Sequence, residues 1–132
     1  MQRRMASCDV WDVVKVPFPY TNRPVQQSRP ALVIGRHNET GSPDLLWVLM
    51  ITSASNRAWV GDIHISDLMT AGLPTASIVR TAKMATIDAA AATRIGSIAF
   101  LDRPKIRDQI TGLFRPLMAD ASSSSGLPTG GS

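Results

Sequence analysis

The chain has 132 residues, of which 44% are hydrophobic, and a formal net charge of +4 that comes mainly from arginine. This length predicts one domain with its own core, and the single cysteine, Cys8, excludes an internal disulfide and a cysteine-based zinc site. The longest apolar run, residues 45–51, is too short to span a bilayer, and no apolar signal core follows the N-terminal arginines, so we expect a protein of the reducing cytoplasm without membrane contact.

The domain is predicted to begin with two strands joined by a long loop, after a flexible arm at residues 1–8. β-branched and aromatic residues from Trp11 to Phe18 favour a first strand, and the apolar run Ala31–Gly35 favours a second. Between them, Pro19–Ser28 is a connection of roughly ten residues, longer than an ordinary hairpin loop, and such loops are more often functional than idle. Arg29 stands where the loop re-enters the sheet.

The middle of the chain predicts a central strand followed by a half-exposed one. Leu45–Ile51 is apolar at almost every position, as expected of a strand covered on both faces. It leads into Thr52–Asn56, a cluster of small hydrogen-bonding residues. Asp62–Ser66 alternates strictly, which predicts that its two isoleucines point inward and that His64 points outward.

A short helical turn and a further strand come next. Asp67 can cap a turn that stops at Gly72. Ser77–Ala82 favours a strand, with Arg80 near its end and Lys83 just beyond it. The following residues predict a short extended piece at 84–87 and a brief alanine-rich turn at 89–94.

The last predicted element is an amphipathic helix that begins at Asp102, a good N-cap, and packs on the sheet. Its apolar residues recur at helical spacing: Ile106, Ile110, Leu113, Phe114 and Leu117. From Ala121 onward the serine- and glycine-rich composition predicts a disordered tail, residues 121–132. Several short strands with one C-terminal helix predict a mostly β fold for residues 9–120, a small closed or half-closed antiparallel barrel.

Phosphate-binding groups are expected at one end of this barrel. If the second and third strands are neighbours, Arg29 and Thr52 fall at the same end of the sheet. The arginine would offer a planar fork to a phosphate, and the hydroxyls of Thr52 and Ser53 would reach its oxygens. The alternative is that the hydroxyls cap a strand and Arg29 makes a surface ion pair. The net positive charge is equally consistent with a basic, soluble surface and with a nucleic-acid partner.

The two histidines are expected to be solvated surface residues. His37 lies in a predicted turn and His64 on an exposed strand face, and neither has an acidic or nucleophilic partner at a motif spacing. No carboxylate cluster accompanies them, so the sequence predicts no metal site. It contains neither a glycine-rich phosphate loop nor a GxSxG motif, and we expect no cofactor.

Five segments, in their order and spacing, resemble the MazF/PemK-like toxins of bacterial type II toxin–antitoxin systems: DVVKVPFPYT, SRPALVI, LLWVLMITSAS, SIVRTAKMATID and RIGSI. The resemblance runs from about Asp9 to Leu117. It implies an SH3-like barrel with a C-terminal helix, of the CcdB/MazF type, that forms a homodimer and binds a cognate antitoxin. It also implies a sequence-specific, metal-independent endoribonuclease, an mRNA interferase, that cleaves single-stranded RNA to leave a cyclic phosphate and a 5′-hydroxyl.

Residue by residue, the resemblance assigns catalysis to Arg29, in the RPA-like motif, and to Thr52, in the ITS-like motif. It assigns RNA contacts to five further residues: Ser53, Arg80, Lys83, Tyr20 and Asn22. The last two belong to the Pro19–Ser28 loop, which would gate the RNA.

The chain departs from the family pattern at Ala82, where some members carry an acidic residue that could transfer a proton, and in a loop that lacks acidic and glycine-rich character. Arginine is a poor base because its pKa exceeds about 12. Arg29 is therefore assigned charge stabilisation, with proton donation to the leaving oxygen as an alternative, and the base is left unassigned. The runner-up function is a binding module, either a gyrase-poison-like protein binder or a weakened member that binds only RNA or antitoxin.

Overall fold

The computed structural model describes residues 8–18 and 27–131, with side chains described as far as residue 119 except that of Phe18. Within these residues the fold contains six strands and two helices. The strands are β1 (Asp12–Phe18), β2 (Gln27–His37), β3 (Leu45–Ser53), β4 (Asp62–His64), β5 (Ser77–Asp88) and β6 (Thr93–Ser97), and the helices are α1 (Leu68–Ala71) and α2 (Arg103–Gly131). Two short 3-10 turns, at 89–91 and 100–102, precede β6 and α2.

The strands form one antiparallel sheet in the order β4-β5-β3-β2-β1-β6. The mostly β fold class is confirmed, but the described strands leave β4 and β6 as free edges and do not close into a full barrel. Strand β3 lies in the middle and pairs along most of its length with both β2 and β5. The continuous apolar character of this segment is explained by that position, since both of its faces are buried.

Alternate residues of the central strands fill two separate cores, one on each face of the sheet. Leu49 and Ile51 enter the first core, which the helices cover and which includes Ile106 of α2. Val48 and Met50 enter the second, which reaches the buried Cys8 at the start of the described chain. Burial of the Cys8 thiol raises its pKa.

Several predicted bounds change in the structure. The second strand begins at Gln27, not at Ala31, because Gln27 and Ser28 still pair with Phe18 and Pro17 across the hairpin. Residues 77–88 form one long strand with a register shift opposite Leu49 and Met50. The extended piece predicted at 84–87 is therefore the second half of β5.

The predicted alanine-rich turn is only three residues long, and Asp88 makes no side-chain cap bond to it. Arg94, which was expected at the end of that turn, belongs to β6 and forms an ion pair with Asp12 of β1 at 3.0 Å. Asp102 does not act as the expected helix cap in the described contacts. Its buried Oδ2 accepts hydrogen bonds from the backbone N–H and the hydroxyl of Ser66 instead.

Among the described side chains of helix α2, those nearest its start pack most closely on the sheet. Ile106 is fully buried and Ile110 is packed against the first core, as predicted. Leu113, Phe114 and Leu117 are 43%, 45% and 66% exposed, so this part of the apolar face is only partly covered within the described chain. The backbone is helical up to Gly131, past Ala121 where the tail is predicted to begin.

The turn at α1 is set by the residues that the sequence indicated. The Asp67 carboxylate accepts hydrogen bonds from the Thr70 hydroxyl at 2.6 Å and from the Thr70 N–H at 3.0 Å, and these bonds hold the pKa of Asp67 below its ordinary value. Gly72 ends the helix in the left-handed region, with φ of 73°. A Cβ at Gly72 would overlap the carbonyl of Ile95, because α1 lies directly against β6 at this point.

We predict that Gly72→Ala lowers the free energy of unfolding by at least about 1 kcal/mol more than Gly41→Ala does. Both glycines have positive φ, which disfavours alanine by about 1–2 kcal/mol, but an added Cβ at Gly41 meets nothing within 4 Å. The difference therefore measures the close contact of α1 with β6, where overpacking costs about 1–3 kcal/mol. Urea denaturation of both variants checks this, and equal costs would contradict it.

Candidate functional site

Arg29 and Thr52 lie on the same face and at the same end of the sheet. The β2–β3 ladder has Ala31 opposite Met50 as its last pair, and Arg29 and Thr52 each stand two residues beyond it. Because side chains alternate along a strand, both residues share the face of Ala31 and Met50. The juxtaposition expected from the sequence is therefore present, while the catalytic roles of the two residues stay predictions.

The Thr52 hydroxyl is held in place by the turn that follows it. Asn56 donates a hydrogen bond from Nδ2 to Thr52 Oγ1 at 2.5 Å, and its own backbone N–H donates to the Ser53 carbonyl at 3.0 Å. Because Oγ1 accepts this bond, its own proton can be donated to a ligand oxygen. The half-buried Arg29 donates from Nη2 to Gln27 Oε1 at 3.3 Å.

The cross-strand neighbours of Thr52 lie on two further strands. Thr52 is paired with Ile78 of β5, which is paired with His64 of β4. The exposed His64 therefore lies on the face of Thr52, roughly 10 Å away at two strand spacings. His37 lies at the opposite end of β2, with its ring 6.1 Å from that of Trp47.

Arg80 is held in a buried ion pair on the same face of the sheet, in the next set of cross-strand neighbours. Its guanidinium donates from Nε and Nη2 to the two carboxylate oxygens of Asp62, at 3.2 and 3.0 Å, and from Nη2 to the Arg57 carbonyl at 2.7 Å. Arg80 is only 8% exposed. The predicted RNA contact of Arg80 stays a prediction, but most of its donors in this arrangement are already directed at protein oxygens.

The ionisation of Asp62 is governed by opposing effects. Burial disfavours the carboxylate, while hydrogen bonds from Arg80 and from the Trp59 N–H, together with nearby positive charge, favour it. The net result is a pKa of Asp62 below its ordinary value. This carboxylate is therefore charged at neutral pH and fixes the orientation of the Arg80 guanidinium.

Of the other four predicted RNA-contact residues, the structure describes Ser53 and Lys83. Alternation puts Ser53 on the opposite face from Thr52, where its Oγ lies 2.8 Å from Ser55 Oγ. Lys83 is exposed in the stretch of β5 between Arg80 and Met84 where the register with β3 shifts. Tyr20 and Asn22 lie outside the described residues. The RNA-binding roles of all four stay predictions.

Three residues that shape this site were not assigned to it from the sequence: Asn56, Asp62 and Trp59, the last of which was expected, with Trp47, to offer apolar area to a second copy of the chain. Asn56 belongs to the polar cluster after the central strand. Its position four residues after Thr52 was the sequence feature that could have indicated its contact with Thr52. Nothing in the sequence indicated that Asp62 would meet Arg80, because that contact depends on how β4 registers with β5.

Within residues 8–18 and 27–131, no group of three or more histidine, cysteine, aspartate or glutamate side chains could hold a metal ion. No helix in this part of the chain has the length and apolarity needed to cross a membrane.

Comparison with known proteins gives one family match and a set of similar folds. Residues 9–114 match the family described as PemK-like, MazF-like toxin of type II toxin–antitoxin system. No curated protein matches significantly.

The Mycobacterium tuberculosis toxin MazF-mt6 is 18% identical with a TM-score of 0.60, over 79% of this chain and 96% of that one. The MazE–MazF structure (Form-II) from Deinococcus radiodurans is 16% identical with a TM-score of 0.57, over 81% and 94%. An endoribonuclease in complex with its cognate antitoxin from a mycobacterial species is 12% identical with a TM-score of 0.58, over 80% and 93%.

We predict that the Asp62–Arg80 pair contributes stability that is lost in acid. Because the pKa of Asp62 is lowered from 3.8 in the folded state, its contribution is complete above the ordinary value and disappears as the pH falls from about 4 through the folded pKa. Asp62→Asn should lower the free energy of unfolding at pH 7 by about 3 kcal/mol or more and flatten its dependence on pH below 4.

Urea denaturation between pH 7 and pH 2.5 measures both effects. Asp108→Asn, at an exposed position on α2, is the control and should leave the parental pH dependence intact. Parallel pH curves for Asp62→Asn and the parent would show that this carboxylate is not linked to folding.

Proposed function

Because the chain belongs to the PemK-like, MazF-like toxins of type II toxin–antitoxin systems, we propose that it is a cytoplasmic endoribonuclease that cleaves single-stranded RNA and inhibits growth. The proposed reaction needs no metal. The ribose 2′-hydroxyl attacks the adjacent phosphorus, the bond to the 5′-oxygen breaks, and the products carry a 2′,3′-cyclic phosphate and a 5′-hydroxyl.

The observation that carries this proposal is the shared face and shared end of Arg29 and Thr52. The guanidinium can stabilise the negative charge that grows on the non-bridging phosphate oxygens, and the Thr52 hydroxyl, oriented by Asn56, can donate to one of them. Both groups are held by strands, so little reorganisation is needed as the charge develops. Proton donation from Arg29 to the leaving oxygen is the alternative role.

A second candidate function is binding without efficient cleavage. Ala82 offers no acid–base group where some relatives carry an acid, and the Arg80 guanidinium is bonded to Asp62. These observations favour a weakened member that only binds RNA or antitoxin, or one that grips a protein as gyrase poisons do. Incubation of the purified chain with total RNA in EDTA separates the two candidates. New 5′-hydroxyl ends would support cleavage. Growth arrest without new ends would support binding.

We propose a cognate antitoxin and a second copy of the chain as partners. The structural relatives include a MazE–MazF structure and an endoribonuclease with its antitoxin. For the homodimer, the relevant surface is a groove of about 520 Å³ between α2 and the sheet, lined by Ile34, Gly35, Trp47, Met84, Ala85, Thr86 and Phe114. Trp47 and Phe114 are 41% and 45% exposed there, which leaves apolar area for a symmetric partner to cover.

We predict that Arg29→Ala slows single-turnover RNA cleavage by about 10²–10³-fold, because a preorganised donor to the transition-state charge is removed. Arg29→Lys should recover only part of the rate, since the charge remains without the planar fork. Thr52→Val removes a neutral donor and should slow cleavage less than Arg29→Ala does. In the double variant, the increase in activation free energy should be smaller than the sum of the two single increases.

The control is Lys105→Ala, which removes one positive charge from an exposed position on α2 and should leave the rate unchanged. Thermal unfolding establishes that each variant is folded. A folded Arg29→Ala protein that cleaves at the parental rate would refute the assignment.

We predict a particle of twice the 14.2 kDa chain mass in light scattering at micromolar concentration. Phe114→Asp should give the monomer mass, because it places a charge in the apolar groove. Leu101→Asp changes a residue that is 68% exposed outside the groove and should remain dimeric. A parental protein at the monomer mass would contradict the homodimer.

A further inference from the structure

The loop between β3 and β4, residues 54–61, is fixed at both ends and in the middle. It begins with the bond from Asn56 to Thr52. Its centre is held by the Arg57 carbonyl, which accepts from Arg80, and by the Trp59 N–H, which donates to Asp62 at 2.8 Å. At its end, the Gly61 carbonyl accepts a hydrogen bond from the Thr81 hydroxyl at 2.8 Å. The loop therefore presents its exposed side chains in a defined geometry.

Trp59 is the large side chain that this loop presents. The guanidinium carbon of Arg80 lies 4.2 Å from the centre of the indole ring. Arg80 is almost fully buried, while Trp59 is 45% exposed. The ring thus lies between the guanidinium and solvent. The cation–π contact on its inner face restricts the orientation of the ring. An exposed aromatic ring of this kind has one face for the protein and one for a ligand.

Arg80, which the ring covers, lies near Thr52 on the same face of the sheet. Arg80 is paired with Met50, and Thr52 follows Met50 by two residues on the same strand and the same face. One strand spacing and two residues separate the backbones of Arg80 and Thr52, a distance of roughly 8 Å. A phosphate held by Arg29 and Thr52 would therefore place a neighbouring nucleotide within reach of the ring that covers Arg80.

We propose that Trp59 is a base-stacking platform for single-stranded RNA, on which a base next to the scissile phosphate lies while Arg80 supports the inner face of the ring and Asp62 holds the Trp59 backbone N–H. This inference rests on the proposed RNA substrate and adds a residue that positions it. Unstacked bases are recognised by aromatic rings, and the contribution is tolerant of sequence because every base has a π face.

The surrounding charge favours RNA over a protein ligand for this ring. Arg57, two residues before Trp59, is exposed and can meet a phosphate of the strand whose base stacks. Asp62, the acidic residue that contacts this loop, is buried and already bonded to Arg80. The solvent side of the platform therefore combines a neutral π face with positive charge, which matches a nucleotide.

The test is equilibrium binding of a fluorescein-labelled 12-nucleotide RNA of mixed sequence, measured by anisotropy at fixed ionic strength with Arg29→Ala as the background so that the strand stays intact. In this background, adding Trp59→Ala should raise the Kd by about 5- to 100-fold, the range for loss of one base–aromatic stack. Trp59→Phe should lie between the two. Phe100→Leu, at an aromatic ring that is 79% exposed in the turn before α2, is the control and should bind as the background does.

A second ligand separates stacking from charge. A strand of the same length and charge that lacks bases should bind equally well with and without Trp59→Ala. Tryptophan emission should be quenched by the RNA in the Arg29→Ala background and not when Trp59→Phe is added to it, which reports the contact even if one variant is less stable.

The outcomes distinguish this inference from the proposed function. If the Kd and the quenching by RNA are the same with and without Trp59, the stacking platform alone is overturned. The exposed ring would then be explained by a protein partner. An equal loss of affinity for the strand without bases also overturns it, because the effect would then be structural. A parental protein that neither binds nor cleaves RNA overturns both.

Discussion

The structure depends on the pairing of β3 with a strand on either side. Alternate residues of this strand fill two cores, so a slip of one residue would exchange Leu49 and Ile51 with Val48 and Met50 and move Thr52 to the other face. The same constraint sets the position of Thr52, which follows Met50 at the end of the strand. Core packing and site geometry are thus two results of one register, and neither can change alone.

Much of the fold could be predicted because the responsible patterns are local. Alternation at Ile63, His64 and Ile65, and the pair of Asp67 as cap and Gly72 as stop, act over a few residues. The shared end of Arg29 and Thr52 could also be predicted, since adjacent antiparallel strands bring the start of one beside the end of the other.

What could not be predicted depends on contacts between distant segments. Asp62 and Arg80 are separated by 18 positions, and their ion pair requires both the β4–β5 register and the shape of the loop before β4. Helical spacing predicted an apolar face on α2, yet periodicity does not say what covers that face, and Phe114 remains half exposed. Strand β6 was missed because Thr93–Ser97 is short and follows alanines that favour a turn.

The free edges of the sheet restrict how the protein can associate. Strand β4 contains only three residues, so it exposes few unpaired backbone groups to a strand from another molecule. Long, flat edges are the ones that template intermolecular ladders and fibres. Contacts between molecules along this edge are therefore left to side chains, and the exposed apolar surface near α2 can be covered by a partner without the sheet growing from chain to chain.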